Sequence, residues 1–112
     1  MRPLELTTRA HAGRALVRLR GELDAAGSQE LQRCLRSARR DHGENLVLDL
    51  ADLEYMDAIG LSVLVGCYKD VTAAGGSLTL AGPRPVVRRT LEVTGLNRRM
   101  TVVGTLDEAL AT

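Results

Sequence analysis

The sequence predicts one α/β domain with a mixed, mainly parallel sheet of about five strands, opening on an antiparallel hairpin and carrying about four helices. Two alternating apolar–polar segments lie a short turn apart near the N-terminus. A nearly continuous apolar run, Leu46-Val47-Leu48-Asp49-Leu50, follows the first helical segment, and from there helix-like and strand-like stretches alternate to the end. The 112 residues suffice for one hydrophobic core and not for two, so a single domain over residues 1–112 is expected.

In chain order, Leu4 to Ala10 and Ala15 to Gly21 alternate as half-buried strands do, and His11-Ala12-Gly13-Arg14 separates them as a hairpin turn. Leu31, Cys34, Leu35 and Ala38 then recur at helical spacing, which predicts a helix over 28–42 with Ser28 as its N-cap and His42-Gly43 as its stop. Leu46 to Leu50 has the pattern of a strand covered on both faces and belongs at the sheet centre. A short acidic turn leads to Asp57, which is placed to cap a second helix running to about Ala74, where Gly75-Gly76 ends it. Ser77 to Ala81 alternates as the next strand. Gly82-Pro83-Arg84-Pro85 opens a third helix carrying Val86, Val87, Leu91 and Val93, and Gly95-Leu96 reads as its left-handed stop. Thr101-Val102-Val103 is a short last strand, and Thr105-Leu106-Asp107-Glu108 has the capping-box spacing that starts a C-terminal helix.

Composition narrows the function classes. A formal charge of +1 provides no global field for nucleic acid, and two Tyr with no Phe or Trp leave few rings for base stacking. No apolar run approaches the roughly 20 residues of a membrane span, and the N-terminus lacks an export signal, so no membrane insertion and a cytoplasmic location are expected. Cys34 and Cys67 have no Cys or His at metal-ligand spacing and read as reduced, packed thiols, with no metal and no cofactor. His11 and His42 occupy turn-like positions without a nucleophile and acid around them, and no phosphate-binding glycine loop is present, so no catalytic residue is assigned and the chain does not read as an enzyme. Arg33, Arg36, Arg39 and Arg40 on the first helix read as a solvated face.

The second helix is unusual in being apolar on two sides. At about 100° per residue, Leu61, Leu64, Val65, Tyr68 and Thr72 share one side, the face for the sheet. The opposite side gathers Ile59, Val63, Gly66 and Cys67, interrupted by Ser62 and Asp70, and either another helix of the domain or a partner protein covers it. At the helix start, Asp57 sits at the carboxyl end of a strand, where open α/β sheets place their binding sites.

Together, Gly21-Glu22-Leu23-Asp24, Val47-Leu48-Asp49-Leu50, Tyr55-Met56-Asp57 followed by Gly60-Leu61, Leu64 to Lys69, and Gly75-Gly76 resemble the STAS domains over nearly the whole chain, and in particular the bacterial anti-sigma-factor antagonists. The resemblance implies a small antagonist that binds a GHKL-type anti-sigma kinase, releases a sigma factor and catalyses nothing. It places partner binding on Asp24, Asp57, Ala58, Ile59, Gly60, Ser62, Val63, Gly66 and Cys67. Such proteins typically read Asp-Ser-Ser/Thr-Gly where this chain reads Asp57-Ala58-Ile59-Gly60, and the serine after the Asp accepts phosphate from the kinase. Ala58 and Ile59 have no hydroxyl, so the phosphoacceptor-equivalent positions are not phosphorylatable. A phosphate adds about −1.5 to −2 charges, and that switch is lost here. Asp57 reads as a helix cap in preference to an acidic mimic of the switch, and Ser62 as a surface residue in preference to a substitute acceptor.

Two other readings share the field. A STAS subunit or scaffold of a lipid-transport ATPase complex shares the fold and can lack the phosphoserine. A receiver-like phosphoacceptor would use Asp49, Asp52, Glu54 and Asp57, with oxygen ligands suited to Mg²⁺; the acidic pair after a first strand and the Lys after a last one are missing. The sequence leaves the oligomeric state open, a homodimer included.

Overall fold

The computed structural model describes residues 2–111. Its elements are β1 (Glu5–His11), β2 (Arg14–Leu23), α1 (Ala25–His42), β3 (Asn45–Met56), α2 (Ala58–Ala73), β4 (Ser77–Ala81), α3 (Pro85–Val93), α4 (Leu96–Arg99), β5 (Thr101–Val103) and α5 (Leu106–Leu110). The strands form one sheet in the order β1-β2-β3-β4-β5, with β1 and β2 antiparallel and the remaining neighbours parallel. The predicted hairpin is present. Its two-residue turn has φ of 50° at Ala12 and 80° at Gly13, the double positive φ of the turn whose twist matches a hairpin.

Alternation within the strands sorts side chains into two layers. Ala15, Val17, Leu19, Leu46, Leu48, Leu50, Leu78 and Leu80 point into the larger core, beneath a layer built from α1, α2, α3 and α4. Leu16, Val47 and Ala81 point the other way and pack with Leu106, Ala109 and Leu110 of α5. Leu46, Val47 and Leu48 are therefore all buried, as their unbroken apolar run predicts for the middle strand. Among the described residues, no helix is long and apolar enough to cross a membrane.

Several boundaries differ from the sequence expectation. The acidic stretch after Leu50 is not a turn, because β3 continues to Met56 and β2 to Leu23. Irregularities in the β2–β3 register let Leu53 and Met56 both point inward despite their odd spacing, which masks the alternation in sequence. Gly21 is one of these points: its φ is +92° and a Cβ there would meet the Pro3 carbonyl oxygen at 2.3 Å.

The first helix starts three residues earlier than predicted. Its cap is Asp24 and not Ser28, since the Asp24 carboxylate accepts from Ala26 N at 3.1 Å and Gly27 N at 3.2 Å. Ser28 is buried inside the helix and donates its hydroxyl hydrogen to Ala25 O at 2.9 Å, the back-bonding a helical serine adopts when it is not a cap. Among the described residues there are five helices, in keeping with the expected number of about four, α4 being a single turn launched by Gly95 in the left-handed conformation. The other helix ends behave as expected. Gly76 N donates to Val71 O at 2.7 Å and Gly75 N to Thr72 O at 3.0 Å, the paired bonds that close a helix on a left-handed glycine. Thr105 Oγ1 accepts from Glu108 N at 3.1 Å.

Candidate functional site

Leu23 and Met56 are register partners at the carboxyl ends of β2 and β3. The residues that follow them, Asp24 and Asp57, therefore cap α1 and α2 beside each other at the carboxyl end of the sheet. Asp57 Oδ1 accepts from Gly60 N at 2.9 Å, so its carboxylate satisfies a backbone donor that the helix itself leaves unpaired. The backbone N–H of Asp57 donates to Leu23 O at 3.1 Å and ties the two loops together. Gly60 completes the junction: a Cβ there would lie 2.5 Å from Leu23 Cγ, so the first turn of α2 rests directly on that leucine.

The turn so positioned presents Ala58 and Ile59 outward. Ile59 is 51% exposed, high for a branched aliphatic side chain, and Tyr55 just before the cap is 45% exposed. Ser62, one turn on, is exposed and donates to Ile59 O at 2.6 Å. Gly66 is exposed with open space over its missing Cβ. Val63 is half-buried, whereas Gly60 and Cys67 are buried and contribute support, not side-chain surface.

The doubly apolar character of α2 follows from its place as the middle helix of its layer. Leu61, Leu64 and Val71 are buried in the main core, Cys67 and Val63 meet α1, and Val65 and Tyr68 line a hollow with Leu96 and Met100. Thr72, expected on the sheet side, is exposed, and Val71 takes that place. Another helix of the same domain thus covers the distal half of the second apolar side, and Ile59, Ser62 and Gly66 are the part left open. Burial pushes the Cys67 thiol up to about 11, which keeps it protonated at neutral pH. Both cysteines are free.

Sequence reasoning missed two contributions to this region. Leu23 appears in the strand-end motif, but its role beneath Gly60 emerges only when strands 33 residues apart are paired. Gln32, Arg36 and Arg39 of α1 flank a shallow groove against Ser62, Val63 and Gly66. Arg39 is anchored there by Glu44, with Nε to Oε2 at 2.6 Å, and its guanidinium lies above its usual pKa because of that hydrogen bond. The run of arginines on α1 predicted a charged face but not which of them lean toward α2.

The four carboxylates of the receiver-like reading are dispersed. Asp49 accepts from Ala51 N at 3.1 Å, Asp52 pairs with Arg18, Glu54 pairs with Arg2 at 2.7 Å, and Asp57 caps α2. The hydrogen bond from Arg18 holds the Asp52 carboxyl below its ordinary value. Among the described residues, no three His, Cys, Asp or Glu side chains are grouped so as to hold a metal ion.

Two capped helix starts thus lie beside each other on an α/β sheet, one displaying an apolar residue next to its cap. The chain belongs to the STAS-domain family, whose profile matches residues 5–109. It is 35% identical over 100 residues to an anti-sigma F factor antagonist of Paenibacillus polymyxa, covering 88% of this chain and 86% of that protein. With the anti-sigma-B factor antagonist of Staphylococcus aureus it shares 33% identity over 86 residues, 77% of this chain and 80% of the relative. The crystal structure of an anti-sigma factor antagonist from Mycobacterium paratuberculosis superposes with a TM-score of 0.84 at 27% identity, covering 97% of this chain and 92% of that one. All three relatives are named as antagonists of anti-sigma factors.

Proposed function

We propose that residues 1–112 form one STAS domain that acts in the cytoplasm as an anti-sigma-factor antagonist, docking a GHKL-type anti-sigma kinase through the start of α2. The observation that carries this reading is the exposure of Ile59 on a helix turn fixed from behind by Asp57, Gly60 and Leu23. An apolar residue held rigidly at the surface loses little conformational entropy on docking, which favours its use as an anchor. The names of the relatives support the class of partner. Asp24, Asp57, Ala58, Ile59, Ser62, Val63 and Gly66 supply the contact surface, with Gly60 and Cys67 beneath it.

The same turn has no hydroxyl where the usual acceptor stands, so the complex is not released by phosphate at positions 58 and 59. The chain then works as a constitutive antagonist, a competitor for the kinase, or a scaffold regulated by other means. Pull-down of the purified chain against the GHKL-type kinases of its source organism tests the reading. Capture of at least one kinase, weakened by Ile59→Asp, is expected, and no binding to any of them contradicts it. An Ala58→Ser variant that becomes phosphorylated in the presence of that kinase and ATP shows that only the acceptor is missing.

A further inference from the structure

We propose that the outer edge of β1 pairs with β1 of a second copy of this chain, antiparallel and centred on Thr8, joining two sheets into one. Strand β1 is an edge strand, with β2 on one side and no described strand on the other. Its two-residue turn makes His11 and Arg14 the closing hydrogen-bonded pair, so Glu5, Thr7, Arg9 and His11 direct their N–H and C=O groups at β2. Leu6, Thr8 and Ala10 direct theirs outward. That outward row is the template to which another extended chain adds.

Edge strands are commonly protected by proline, a bulge or a covering helix. Across Glu5 to His11 there is no proline, and the β1–β2 register runs without a shift. Six of the seven residues are exposed. Charges are present, but their order is self-complementary. Pairing centred on Thr8 sets Glu5 opposite His11 of the second copy, Leu6 opposite Ala10, Thr7 opposite Arg9 and Thr8 opposite itself. Glu5 then has Arg9 of the second copy on its diagonal as well, within reach of a long side chain. Arg9 has one unfavourable diagonal, to its own counterpart, and a favourable one to Glu5. Residues paired in this register share parity, so both copies keep their helical layers on the same side of the joined sheet. The register centred on Thr7 sets Glu5 opposite Arg9 but pairs only residues 5–9 within the strand, whereas the Thr8 register pairs all of β1 and forms about six backbone hydrogen bonds between copies.

The second copy is favoured over another partner because the strand complements itself in this register, Glu5 meeting the imidazole N–H of His11 and the guanidinium of Arg9 at both ends, which an unrelated strand has no reason to do. No residue of β1 belongs to the surface proposed around the start of α2. Dimerisation does not depend on the function proposed above, and failure of either leaves the other standing.

Analytical ultracentrifugation over a range of concentrations tests the proposal. The wild-type chain is expected to shift from monomer to dimer with rising concentration. Thr8→Pro removes an outward N–H and the Thr8 hydroxyl's 3.3 Å contact with Cys34 Sγ but no β1–β2 hydrogen bond, and is expected to raise the dimer dissociation constant at least tenfold with a cooperative melting transition retained. Glu5→Lys is expected to weaken the dimer, and Glu5→Lys combined with His11→Glu to restore it, which decides the matter if Thr8→Pro fails to fold. A monomer at all concentrations, or a dimer indifferent to both Thr8→Pro and the charge exchange, overturns the proposal.

Discussion

Gly60 and Leu23 are in contact across two chain segments, with the place of a Cβ on Gly60 only 2.5 Å from Leu23 Cγ and 3.0 Å from Leu23 O. This contact sets the height of α2 above the strand ends, and with it the position of Ala58 and Ile59. Replacing Gly60 with Ala forces Leu23 or the helix start to move, at a cost of about 1–3 kcal/mol for overpacking. Urea unfolding of Gly60→Ala, Leu23→Ala and the double variant checks this. The double variant is expected to be more stable than the sum of the single changes predicts, because removing Leu23 Cγ relieves part of the clash.

Asp57 holds the same turn through its cap. Asp57→Ala is expected to lose about 1 kcal/mol of stability, while Asp57→Asn, which keeps an acceptor oxygen, loses only a small part of that. Equal losses for the two substitutions in urea titration would show that charge, and not the bond to Gly60 N, provides the stabilisation.

Cys67 is sealed between α1 and α2 and only 8% exposed, whereas Cys34 is half-buried. At pH 8 iodoacetamide is expected to modify Cys34 at least tenfold faster than Cys67 in the folded protein, read by peptide mass spectrometry. The raised thiol also makes stability depend on pH. In the unfolded chain Cys67 ionises near 9.0 and in the fold near 11, so the unfolded state releases its proton first. Stability is expected to fall as pH rises through that window and to level off above it. Cys67→Ala should flatten the decline between pH 9.0 and 11.

The fold was legible because its strands and helices differ in period and because glycine and proline mark most of the boundaries. The hairpin turn, the Gly75-Gly76 stop and the Thr105 cap all lie where local chemistry puts them. Errors arose where a nonlocal pairing overrode a local pattern. Strand β3 runs on to Met56 because β2 continues beside it, and irregular pairing hides the inward residues from a period-two reading. Ser28 resembles a cap in isolation, but Asp24 stands at the strand end where the chain turns into the helix.

The candidate site was legible in part for the same reasons. Asp57 as a cap and the excess of apolar residues on α2 follow from sequence. Which of those residues α1 covers does not, since Cys67 and Ile59 look alike on a helical projection and differ only in what lies above them. The contact of Leu23 with Gly60 requires the sheet to be assembled first.

The start of α2, as proposed above, docks a partner and is not switched there by phosphate. Binding of a cognate GHKL-type kinase to the wild-type chain, measured by titration calorimetry before and after incubation with ATP and Mg²⁺, tests it most directly. The dissociation constant is expected to be unchanged by the incubation and to rise at least tenfold with Ile59→Asp, with intact-mass analysis finding no added phosphate. Undiminished binding by Ile59→Asp, or loss of binding after ATP together with a phosphate on Ser62, would contradict it.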